Sequence, residues 1–154
     1  MSRRYPERGN DGYRGKLERA VGHQLKAIPV HFGYEPGWIP YRVPARTAKY
    51  LPDFVLPNGI VIETKGIFDA PDRQKHLLLK EQYPDLDVRF VFSRLLTPIY
   101  PKSKTTVADW CAQHGFECTQ KLTPEAWIKE PMVASRVRAL MELGVILPAW
   151  KDLK

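Results

Sequence analysis

Apolar residues recur every three or four positions from Leu17 through Val21, Leu25 and Ile28, one stripe of an amphipathic helix that Pro29 ends. Glu18 sits beside that stripe. Residues 30–34 and 38–43 read as extended around a Pro36-Gly37 turn, and Pro40 and Pro44 exclude helix there. The polar stretch 41–49 has no evident partner strand, so it is either a loop that folds back or an extended bridge. Residues 51–56 and 60–65 are β-rich runs flanking Pro57-Asn58-Gly59, a hairpin signal. A helix capped by Asp69, with Pro71 in its first turn, runs through His76, Leu77 and Leu78 and stops before Pro84. Residues 87–93 predict a strand, and Thr105 or Thr106 caps a helix through Val107, Trp110 and Cys111 that ends at Gly115. Thr123-Pro124-Glu125 opens a short helical turn, and 133–143 forms a last amphipathic helix before Gly144. That order predicts a mixed α/β layer fold.

With 154 residues and 44% hydrophobic content, the chain suits one domain with a core of its own. Residues 1–14, with Arg3, Arg4, Arg8, Gly9 and Gly12, lack periodicity and read as a flexible basic arm. No apolar run is long enough to span a bilayer, so a soluble intracellular protein without a membrane partner is expected. Cys111 and Cys118 form no CxxC pair, which argues against zinc, and are expected to stay reduced. The formal net charge of +7 favours a polyanionic partner, though charge alone is equally consistent with a merely soluble surface.

Loop length in the hairpin decides which side chains share a face. A two-residue Asn58-Gly59 turn would set Asp53 opposite Thr64 and send Glu63 to the other face. A three-residue loop suits Pro57 and Asn58 as the right-handed positions of a type I turn and Gly59 as the left-handed one. In that register Asp53 faces Glu63, and Lys65 lies two residues on along the same face. Phe54, Leu56, Ile60 and Ile62 then make an apolar layer behind them. Facing carboxylates repel unless a cation lies between. Either a divalent ion such as Mg²⁺ occupies the gap or Lys65 merely screens two acids.

Pro52-Asp53 followed by Glu63-Thr64-Lys65 resembles the PD-(D/E)XK nuclease signature. The wider text YLPDFVLPNGIVIETKG, then DRQKHLLL, then WIKEP at 127–131, resembles the phage endonuclease I family of Holliday-junction-resolving enzymes, over most of residues 12–131. The resemblance implies a restriction-endonuclease-like mixed sheet flanked by helices. It implies Asp53 and Glu63 as metal ligands with the Thr64 carbonyl as a backbone ligand, Lys65 as the catalytic lysine and Glu18 as the remaining acid. It also implies Mg²⁺ with Mn²⁺ as substitute, branched DNA and four-way junctions above all as substrate, and the cytoplasm of an infected bacterial host. Finally, it implies a homodimer in which residues 15–40 are exchanged across a bridge at 41–49. The nuclease domain would cover 15–131 and a helical tail 132–154. The chain departs from the family pattern at Gly15, across 93–104 and in that tail.

Arg73, Lys75 and His76, on the first turns of the helix after the site, are candidate phosphate contacts, with packing the alternative for His76. His114 suits the end of its helix, and Trp38, Trp110 and Trp127 suit core or interface positions. The expected activity is metal-dependent resolution of DNA junctions. The alternatives are a repair or restriction-type nuclease acting on duplex, and a DNA-binding module without catalysis.

Overall fold

The computed structural model describes residues 7–153. Five strands form one sheet: β1 (Gly33–Tyr34), β4 (Phe54–Val55), β5 (Ile60–Lys65), β6 (Asp87–Phe92) and β7 (Cys118–Gln120), side by side in that order. β1 and β5 run antiparallel to β4, while β5, β6 and β7 are mutually parallel. The parallel pairs need crossovers, supplied by α2 (Ala70–Gln82) and α3 (Val107–His114). The helix at the start is α1 (Lys16–Lys26), and α4 (Glu125–Lys129) and α5 (Ala134–Glu142) follow β7.

Alternation along the strands fills two apolar layers. Phe54, Leu56, Ile60, Ile62 and Val91 meet Val21 and Leu25 of α1 and Trp127 of α4 on one face. Val55, Val61, Val88, Phe90 and Phe92 meet Leu79 of α2, Trp110 of α3 and Leu140 of α5 on the other. The sheet is thus covered on both sides, as the apolar run at β5 requires. Trp38, by contrast, is exposed. Cys111 and Cys118 are free thiols in mutual contact.

The caps match the residues that invite them. Asp69 accepts from the Asp72 N–H with Pro71 in the first turn, and Thr106 forms a reciprocal box with Asp109 before Gly115 closes α3 at φ 73°.

Three parts of the chain differ from the expected pattern. Residues 39–50 do not run as an unpaired connector: β2 (Ile39–Val43) and β3 (Arg46–Tyr50) pair antiparallel across a Pro44-Ala45 turn. The hairpin docks on α2, where Gln82 bonds both the N–H and the carbonyl of Arg42. Of the basic arm, residues 1–6 lie outside the described residues, and the remainder closes a turn from Gly9 to Tyr13 with Tyr13 buried against Phe54.

The C-terminal segment is part of the core rather than an appended tail. Val137, Leu140, Val145, Leu147 and Trp150 are all buried in the main cluster. The Trp150 indole N–H donates to the Pro57 carbonyl at 2.9 Å, and the Val133 N–H to Asn58 O, so the segment is stitched to the hairpin turn. Arg136 and the buried Arg89 add ion pairs to Asp87 and Glu130. Trp150→Ala is therefore expected to cost about 3–5 kcal/mol in urea unfolding, as for other buried Trp truncations. A loss under about 1 kcal/mol would return the segment to the status of an accessory.

Candidate active site

The three-residue turn is present and sets the register. The Gly59 N–H donates to Leu56 O, Leu56 N–H to Ile60 O, and Phe54 pairs with Ile62. Gly59 has φ 92°, and a Cβ there would stand 2.7 Å from the Cβ of Arg136, so both backbone and space demand glycine. Asn58 locks the turn by donating to the carbonyls of Trp127 and Glu130. Continuing the Phe54–Ile62 pairing by one residue sets Asp53 against Glu63.

Asp53 leaves the strand there, and its Oδ2 accepts from both the N–H and the hydroxyl of Thr64 at 2.8 Å. Glu63, only 4% exposed, accepts from the Tyr50 hydroxyl through Oε2, while its Oε1 lies 3.3 Å from Lys65 Nζ. Glu18 reaches the cluster from α1, held by the Tyr34 hydroxyl at 2.7 Å and the Arg14 N–H at 3.1 Å. The structure thus brings Glu18, Asp53, Glu63, Thr64 and Lys65 to the C-terminal end of β5.

Burial, then the negative charges of Glu63 and Glu18, push the Asp53 carboxyl well above the ordinary carboxylate range, against the Thr64 N–H and Lys65. For Lys65 burial works downwards, but Glu63, Asp72 and Asp53 more than reverse it and keep the ammonium charged. One cation is thus shared among several acids in a half-dry site.

Sequence reasoning missed four contributors. Asp72, 1% exposed, sits 3.5 Å from Lys65 Nζ and so gives the lysine a second carboxylate partner besides Glu63. Tyr50 and Tyr34 orient the two glutamates, and Glu35, neutralised by Arg14 and Arg8, donates its N–H to the Asp53 carbonyl. Their contacts are made by tertiary packing of β1, the end of β3 and α2 around the motif, and no local pattern in the sequence marks them.

One proposed phosphate contact needs correction. His76 is 1% exposed, packed edge-on against Tyr50 and Phe90, and burial holds its imidazole neutral, so it cannot reach a backbone. Arg73, half-exposed, donates from Nη1 to the carbonyls of Phe68 and Ile99, bracing two loops. Lys75 lies 3.9 Å from Asp72 and is partly exposed.

A testable consequence concerns pH. The folded chain keeps the Asp53 proton to higher pH than the unfolded chain, so ionising it destabilises the fold, beginning near the unfolded value of about 4 and complete above the raised one. Asp53→Asn in metal-free buffer is expected to raise Tm at neutral pH by about 2–4 °C, corresponding to roughly 1 kcal/mol. The gain should vanish below about pH 4. A lower Tm at neutral pH, or a gain that persists in acid, would contradict the charge crowding.

Comparison with known proteins bears on the same residues. A family model described as phage endonuclease I matches residues 1–144. Endonuclease I of Escherichia phage T7 is 47% identical over 119 residues, 77% of this chain and 80% of the relative. Endodeoxyribonuclease 1 of Enterobacteria phage T3 is 46% identical over 133 residues, 85% and 88% of the two chains. The motif that resembles the family is thus set in a chain that matches it nearly throughout, and this chain belongs to the phage endonuclease I family.

Proposed function

We propose that this chain is a metal-dependent endodeoxyribonuclease that resolves four-way junctions and other branched DNA by paired phosphodiester cleavage. The observation that carries the reading is the facing pair Asp53 and Glu63 with Lys65 Nζ 3.3 Å from Glu63 Oε1. The printed names of the T7 and T3 relatives support DNA as the substrate. Among the described residues no three His, Cys, Asp or Glu side chains form a metal cluster, and no helix is long and apolar enough to cross a membrane. The donor set that fits an ion is instead two carboxylates, Asp53 and Glu63, with the Thr64 main-chain oxygen, a sparse oxygen set of the kind Mg²⁺ completes with water. Mn²⁺ would substitute.

The crowding that lifts the Asp53 carboxyl is the physical reason a divalent ion fits, since it would offset the repulsion that a single lysine leaves. When bound, the ion supplies Lewis acidity toward a phosphoryl oxygen and lowers the pKa of water. Lys65, fixed between Glu63 and Asp72, meets the negative charge that grows on the phosphate. Glu18, aligned by Tyr34, is the remaining acid and stands ready to orient the attacking water or take its proton.

A junction offers two strands to cut, which a homodimer answers with two sites. In the single chain β2 and β3 fold back on each other and Glu18 reaches its own chain's Asp53; exchange requires the Pro44-Ala45 turn to open, so that β2 and β3 become one strand that carries α1 and Glu18 to a second chain. Such a dimer would act in the host cytoplasm.

Asp53→Ala should abolish cleavage of a junction in Mg²⁺ while junction binding survives, and Lys65→Ala should slow cleavage by about 10²–10³ or more. Parental rates from Asp53→Ala would sink the site, and equal rates on junction, fork and duplex would sink the selectivity. Exchange is read from a heterodimer of Glu18→Ala and Asp53→Ala chains. Exchanged, one site collects both defects and the other none, so the heterodimer nicks a junction once. Unexchanged, each site has one defect and the heterodimer is as inactive as its parents.

A further inference from the structure

β5, β6 and β7 are parallel, and Lys65, Phe92 and Gln120 stand in one row across them, so their C-terminal ends share the edge that holds the active site. The chain leaving β6 along that edge is one-sided in charge. Between Asp87 and Asp109 it has no acidic residue, and it carries Arg94, Lys102 and Lys104, all exposed. Arg73 ties this loop to the site by donating to both Ile99 O and Phe68 O, the latter three residues beyond Lys65. Lys121, also exposed, follows Gln120 two strands from Gly66, about 10 Å at ordinary strand spacing.

Two of these cations occupy backbone that favours glycine. Lys102 has φ 64° at the third position of a turn closed by Ser103 N–H to Tyr100 O, with Pro101 before it; that is the glycine position of a type II turn. Lys121 has φ 71° at the centre of a γ-turn closed by Leu122 N–H to Gln120 O, a strained form for an L side chain. Neither lysine makes an ion pair among the described residues that would repay the strain. Non-glycine residues at such angles persist where a function holds them.

We infer that Arg94, Lys102, Lys104 and Lys121 form a phosphate-binding rim that holds the DNA backbone beside the cleavage site. The inference rests on the DNA-cleaving reading above and adds the surface that seats the strand. The loop is preshaped for this by the Ile99 N–H to Thr105 O and Val107 N–H to Thr97 O bonds, so little ordering is lost on binding. The exposed Leu96 and Tyr100 between the cations offer apolar contact to sugars and unpaired bases near a branch point.

Lys102→Gly and Lys121→Gly separate binding from folding, because glycine removes the charge and relieves the backbone together. Binding of a four-way junction is measured by anisotropy in chelator over a salt series, with cleavage by the parent in Mg²⁺ followed alongside. The double variant should bind more weakly and lose about 2 from the slope of log K against log salt, about 0.9 for each phosphate contact removed. Its Tm should hold or rise. Lys151→Ala, exposed beside Trp150 and so at the far end of β5 by the Pro57 turn, should leave the slope unchanged. An unchanged slope in the double variant, from a parent that binds and cuts DNA, overturns the rim alone. Weaker binding with a fallen Tm overturns it in favour of a role in the fold. A parent that neither binds nor cuts DNA overturns the function and the rim with it.

Discussion

Repulsion between two carboxylates facing each other at the end of a hairpin is the interaction around which this molecule is organised. Asp53 and Glu63 are brought together by the Pro57-Asn58-Gly59 turn, and a register shifted by one residue would turn one of them into the apolar layer beneath. The turn is accordingly fastened from several directions: Asn58 to α4, Trp150 to Pro57, and Arg136 packed over the space where a side chain on Gly59 would lie. Much of the C-terminal segment can be understood as the clamp on this register. A fold that holds like charges together in this way gives up some stability locally, and active sites are where such concessions collect.

The positive side of the site is as carefully placed as the negative side. Lys65 does not rest on Glu63 alone, since Asp72 approaches from the start of α2. When Glu63 is drawn to a cation, a lysine with only that partner would be repelled from the site; a second buried acid keeps it in place. The rim of exposed cations beyond β6 and β7 extends the same polarity outwards, from one dry ammonium to a solvated surface suited to a phosphate chain.

The hairpin and its triad were legible in sequence because every determinant is local: turn chemistry, a period of two and five spelled residues. β3 was not, since Arg46, Thr47 and Lys49 face water and only Tyr50 of that strand is deeply buried, which leaves no alternation to read. α2 misled for a related reason. Its buried residues are Asp72, His76 and Leu79, spaced i, i+4 and i+7, and two of the three are polar, so the inward side reads from sequence as a solvated one. The hydrogen bonds that orient Glu18 and Glu63 come from tyrosines on other strands, a tertiary fact without a local signature. The C-terminal segment looked like a separate tail because Gly144 and Pro148 interrupt the periodicity of residues that all reach one core.

The central claim is that the Asp53–Glu63 gap is built for a divalent cation. A crystal of the protein soaked in Mn²⁺ and measured at the manganese absorption edge is the direct test. The expected result is an anomalous peak between the two carboxylates, within about 2.0–2.2 Å of an oxygen from each, as short oxygen coordination requires. Lys65 should remain against Asp72. No peak at saturating Mn²⁺, with Lys65 still bridging Glu63, would contradict the account and leave the lysine as the sole counterion of the site.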